Sequence, residues 1–97
     1  MDKEIYEILK SFDISDLEIQ DMLNLAPMLE HTSCDEFAMN CFLLKKYGYP
    51  DSDLDALFLA NPNIFVKSAR DLEEELINLK SQYGDIEMVL KQDPMII

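Results

Sequence analysis

The stretch "LANPNIF", residues 59–65, decides how this chain folds. Asn61-Pro62 should end a helix, because proline has no N–H for the helical ladder and pushes the residue before it out of the helical region. The chain does not then turn polar. Ile64, Phe65 and Val66 follow where a solvent loop would carry Gly, Ser or Asp. The same shape appears in "NLAPML", residues 24–29, and in "KQDPMII", residues 91–97. Three helix breaks, each with apolar residues just past the proline, describe a joint that leads back into a core.

The joints belong to a repeat. Displaced by 35 residues, Leu9-Lys10-Ser11-Phe12 falls on Leu44-Lys45-Lys46-Tyr47, Ile19 on Leu54, and Met22-Leu23 on Leu57-Phe58. Pro27 falls on Pro62, Leu29 on Ile64, Ser33 on Ser68 and Phe37 on Leu72. A third copy enters at Leu79-Lys80-Ser81 and then shortens, since Tyr83-Gly84 answers Tyr47-Gly48 while Asp85-Ile86 answers Asp53-Leu54. Pro94 therefore follows Pro62 by 32 residues. The division is one domain, 1–97, with units of about 1–32, 33–67 and 68–97.

Each unit reads as a long helix, a turn, a short helix, a proline break and an apolar tail. Long helices are expected over 3–12, 34–47 and 69–82, and short ones over 16–25, 53–60 and 85–91. Capping patterns mark their starts: Ser15 with Glu18, Ser33 with Glu36, Ser52 with Asp55 and Ser68 with Asp71. Gly48 and Gly84 stand where a left-handed helix end is wanted. The middle long helix, with Phe37, Ala38, Met39, Cys41, Phe42, Leu43 and Leu44, is apolar nearly all round and is expected to be sandwiched between its neighbours. The fold class is all-α with about six helices, and stacked repeats of this kind bury together a core that none could bury alone.

Composition agrees. The chain of 97 residues is 48% hydrophobic and has two glycines, which favours one helical domain. No apolar run reaches the roughly 18 residues that span a bilayer. The opening "MDKEIYEILK" is acidic and amphipathic, unlike a signal or transit peptide, so a cytoplasmic protein is expected. Cys34 and Cys41 would lie about 10.5 Å apart along one helix face, too far for a disulfide, and are expected to be buried, reduced thiols.

The repeat resembles that of the mitochondrial transcription termination factor (mTERF) family, through "DMLNLAPML", "ALFLANPNIF" and "MVLKQDPMII", and most closely through "KKYGYPDSDLDALFLANPNIF". The resemblance covers nearly the whole chain. It implies units of two α-helices and a 3₁₀ turn stacked in a short right-handed solenoid that binds nucleic acid along a basic concave surface. The chain departs from that pattern at Asp13, which replaces the turn glycine of the first unit, in the shortened third turn, and in having three units where members of the family carry more.

The largest departure is electrostatic. Eight basic residues stand against 20 acidic ones, a formal net charge of −12. Such a surface is repelled by phosphate backbones and anionic membranes and attracts basic partners. Lys10, Lys45 and Lys80 recur in register at the ends of the long helices, with Lys46 beside the second. They form the phosphate-binding ladder if nucleic acid is bound, and otherwise complement the helix dipoles. Glu73, Glu74 and Glu75 read as a solvated helix face and as the first candidate for meeting a basic protein, joined by Asp51, Asp53 and Asp55. The three aspartates imitate the opening of a calcium loop, but Ala56 holds the glycine position and Pro62 that of the bidentate glutamate. No metal or cofactor is expected. His31 is read as packing or surface. With no Ser/His/Asp or Cys/His constellation and no glycine-rich phosphate loop, an enzyme is not expected.

The expected function is therefore a non-catalytic helical-repeat module that binds a protein. Two alternatives stand beside it: a nucleic-acid-binding regulator of the mTERF type, and an acidic protein that occupies the basic nucleic-acid-binding surface of a partner. The tail Met95-Ile96-Ile97 either tucks under the last short helix, leaving a monomer, or supports weak self-association.

Overall fold

The computed structural model describes residues 1–97. It is all-helical, without strands: α1 (Lys3–Ser11), α2 (Asp16–Leu25), α3 (Cys34–Lys46), α4 (Leu54–Ala60), α5 (Ala69–Tyr83) and α6 (Ile86–Gln92). Four 3₁₀ turns lie between and after them, at Pro27–His31, Asp51–Asp53, Pro62–Val66 and Pro94–Ile96. The helix bounds match the sequence expectation to within a residue or two.

Helix starts are set by side chains that accept the free N–H groups of the first turn. Ser15 and Ser33 form reciprocal capping boxes with Glu18 and Glu36, and the Ser68 hydroxyl accepts the Asp71 N–H. Ser52 departs from the pattern. It lies inside a 3₁₀ turn, and α4 begins after Asp53 with no side-chain cap. The Asp53 and Leu54 N–H groups donate to the Pro50 and Asp51 carbonyls, which carries the helix start past Ser52, and the Asp53 carboxylate that now stands at the cap position is held by the Lys91 ammonium of α6 at 2.7 Å.

Helix ends repeat as closely. The Ile14 N–H donates to the Leu9 carbonyl and the Asp13 N–H to that of Lys10, and 35 residues later Tyr49 bonds Leu44 and Gly48 bonds Lys45. This is the Schellman end, which needs a left-handed residue. Asp13 supplies it at φ 60° and Gly48 at φ 110°. The third end is a single bond from the Gly84 N–H to the Lys80 carbonyl, after which Asp85 caps α6 at once by accepting the Met88 N–H. That simpler end accounts for the shorter spacing of the third copy.

The proline joints share one backbone geometry. Ala26, Asn61 and Asp93 have φ −133°, −149° and −143° with ψ 77°, 76° and 83°. Each donates its N–H four residues back, to Met22, Leu57 or Val89, and each accepts at its carbonyl from three residues ahead, Leu29, Ile64 or Ile96. Leu29, Ile64 and Phe65 are wholly buried, so the apolar residues past the proline do return the chain to the core. Ile96 and Ile97 pack partly buried against that core, whereas Met95 is exposed.

The α3 helix packs against both α1 and α5, α2 against α4, and the turn at Pro27–His31 against that at Pro62–Val66. Between these elements Phe12, Phe37, Phe58 and Phe65 form an aromatic cluster with ring centroids 4.6–5.5 Å apart. Each fully buried ring contributes about 2–3 kcal/mol by leaving water. The sandwich expected for α3 is incomplete. Phe37, Leu43 and Leu44 are buried, but Met39 and Phe42 are 47% and 58% exposed, because two flanking helices leave a third face of α3 uncovered. The cysteines are likewise half-buried and unpaired. Burial still pushes the Cys41 thiol up to about 12, so it remains a thiol at neutral pH.

Candidate functional site

The repeated lysines differ in their surroundings. Lys10 lies 3.4 Å from Asp16, the first residue of α2, and Asp16 also accepts the Tyr6 hydroxyl at 2.8 Å. That hydroxyl, with Lys10 beside it, holds the Asp16 carboxyl below its usual range. Lys46 donates to Glu73 at 3.0 Å, and Tyr47 donates to the same carboxylate oxygen at 2.8 Å. Lys45 and Lys80 are exposed and lie in no ion pair. The turn explains only the first of these: Asp16, at the start of α2, meets Lys10, whereas Asp51 and Asp85 at the corresponding starts pair with no lysine.

The acidic run does not form one open face. Only Glu74 is exposed, loosely paired with Arg70 at 3.7 Å. Glu73 is turned toward α3, where Lys46 and then Tyr47 lower its carboxyl affinity for a proton. Glu75 accepts from Lys67 at 3.0 Å through Oε1, while its Oε2 is buried and has no hydrogen-bond partner. Of the aspartates, Asp51 is exposed, Asp55 half-buried, and Asp53 joins Glu87 in holding Lys91, whose pKa both carboxylates raise. No three His, Cys, Asp or Glu side chains converge as metal ligands anywhere in the chain. His31 is exposed at the end of its turn.

Two features went unread in the sequence. Asn40 is wholly buried in α3 and donates through Nδ2 to the Ile64 and Lys67 carbonyls at 3.2 and 2.8 Å. Its signal was available: in the repeat frame Asn40 occupies the column of Ile5, where an apolar residue is the simple choice. The other is a groove of about 300 Å³ lined by Glu75, Asn78, Leu79, Gln82, Ile96 and Ile97, at the outer flank of α5 beside the last turn. A second groove, lined by Glu4, Glu7, Ile8, Ser11 and Cys34, lies on α1.

The surface as a whole combines acid with exposed apolar side chains. Five of the eight basic side chains are tied up in ion pairs, leaving only Lys3, Lys45 and Lys80 outside them. Met39 and Phe42 of α3 and Ile77 of α5 are exposed, and in the repeat frame they share columns with Glu4, Glu7 and Glu74. Leu25, Met28 and Met95 are also more than half exposed. No helix is long and apolar enough to cross a membrane. No protein-family model, no curated protein and no solved structure matches this chain.

Proposed function

We propose that the chain is a non-catalytic helical-repeat module that binds a protein with a basic surface, its three units stacked in a short right-handed solenoid. The repeated joints and the contacts of α1 with α3 and of α3 with α5 support the stacking. One observation carries the binding reading: most bases are neutralised within the fold, while large apolar side chains stay exposed on a chain of net charge −12. Such a surface repels phosphate and gains from meeting cations and apolar groups together.

The test is fluorescence anisotropy at low ionic strength with a labelled DNA duplex, a labelled RNA strand and a labelled amphipathic helical peptide of leucine and lysine. Saturable peptide binding of one-to-one stoichiometry, without nucleic-acid binding, is expected. Nucleic-acid binding that falls steeply with salt would instead favour a regulator of the mTERF type. That second reading is supported by Lys45 and Lys80, which are exposed and unpaired at equivalent positions.

A further inference from the structure

Two columns of the repeat stay exposed in every unit. One holds Glu4, Met39 and Glu74 and the other Glu7, Phe42 and Ile77, on α1, α3 and α5 in turn. Their exposure does not depend on where the chain begins or stops. The α3 helix has α1 and α5 packed against it and still leaves Met39 47% and Phe42 58% exposed. Nor does the fold require apolar residues at these positions, because α1 carries glutamate at both. A single exposed apolar side chain needs no explanation, but Met39 and Phe42 are neighbours one turn apart on α3, and the column of Phe42 is apolar again at Ile77 on the adjacent helix.

The charge in the same two columns is all negative. Glu4 and Glu7 lie in no ion pair and, with Cys34 at the start of α3, line the groove along α1, which puts them on the side of that helix nearest α3. Glu74 is held only loosely, by Arg70 at 3.7 Å. Lys46, the cation one turn beyond Phe42, is already taken by Glu73.

We propose that these six positions form one docking face, which receives an amphipathic helix of a basic partner protein. Apolar residues of that helix cover Met39, Phe42 and Ile77, while lysines or arginines on its flank meet Glu4 and Glu7. Charge selects the occupant. A second copy of this chain would bring another net charge of −12 to the contact, and a phosphate backbone is repelled by the same glutamates.

This inference rests on the protein-binding reading, and its test separates the two. The labelled leucine and lysine helical peptide, and a scrambled peptide of the same composition without an apolar stripe, are titrated into the full chain and its variants. Met39→Ala combined with Phe42→Ala should weaken the amphipathic peptide about tenfold or more, because the area it covers is lost. Leu25→Ala combined with Met28→Ala, equally exposed but outside the two columns, should stay within about twofold of wild type. Glu7→Lys should weaken binding more than Asp21→Lys, which reverses the same charge at an exposed position of α2. In wild type, peptide-induced amide shifts should fall on the exposed sides of α1, α3 and α5. Equal effects of the two alanine pairs, shifts centred on α2, α4 or α6, or no preference for the amphipathic over the scrambled peptide overturns the face while leaving the acidic module standing. Self-association of the free chain that Phe42→Ala abolishes gives the face to a second copy and overturns the assigned occupant. Failure of both peptides to bind wild type overturns the face and the protein-binding reading together.

Discussion

The Asn40 side-chain nitrogen lies 2.8 Å from the Lys67 carbonyl oxygen, 27 residues further on, so the middle of α3 secures the far end of the turn that delivers the chain to α5. The same nitrogen donates to Ile64 at 3.2 Å, and both bonds are made where water is largely excluded. Asn40→Ala leaves these carbonyls unpaired, partly offset by removing the buried, unbonded Oδ1. The expected loss is about 2 kcal/mol, from urea unfolding. An unchanged midpoint would mean that the amide does not fasten the turn.

The two Schellman ends predict an asymmetry. A Cβ on Gly48 meets nothing within 4 Å, so Gly48→Ala reports backbone strain at φ 110° and little else. It should cost about 1–2 kcal/mol. Asp13→Gly should change stability by less than about 0.5 kcal/mol, because aspartate already tolerates the left-handed region and glycine loosens the unfolded chain. Thermal unfolding of the two variants measures the difference, and equal effects would refute the assignment.

Glu73 should make stability depend on pH in a definite direction. Its folded pKa is lowered by Lys46 and Tyr47, so its contribution is present above the ordinary glutamate value of about 4.3 and is lost as pH falls through the lowered folded value. The gap in urea midpoint between wild type and Glu73→Gln should accordingly be largest near neutrality and close in acid. A gap that is constant or widens in acid would contradict the pairing.

Added salt should stabilise the fold. The ion pairs that salt weakens are mostly exposed and each contribute little, whereas the net charge of −12 opposes compaction over the whole surface. Relief of that repulsion outweighs the weakening of the pairs. The urea midpoint is expected to rise between low and moderate sodium chloride, and a fall would mean that the pairs are the stronger influence.

The joints were legible because proline constrains the backbone locally and apolar spacing reports burial directly. Pro62 with Ile64 and Phe65 therefore carried both the break and the return. Capping serines were legible for the same reason at Ser15, Ser33 and Ser68. Ser52 misled because a 3₁₀ turn starting just after Pro50 moves the helix start to Leu54, and the residue left at the cap, Asp53, is held by Lys91, 38 residues away, which no local pattern announces. The uncovered face of α3 escaped because periodicity counts apolar residues without saying how many neighbours arrive to cover them. Glu75 was seen as one of three like charges. Only its surroundings distinguish it: Lys67 on one oxygen and nothing on the other.

The shared backbone angles at Ala26, Asn61 and Asp93 have a consequence for how such a chain can change in length. Three unrelated side chains adopt one conformation there, so the joint tolerates substitution at that position and can be copied without a dedicated residue. Asn61 adds a directional link, donating forward to the Pro94 carbonyl at 2.9 Å, while Asn63 donates backward to that of Leu25 at 3.1 Å. The middle unit thus carries fittings for a neighbour on either side. Growth or loss by whole units would leave every surviving joint intact, and the third unit, three residues shorter in the turn before its short helix, keeps the same joint angles and the bond from Asn61, so the turn is where length can change without disturbing the joint.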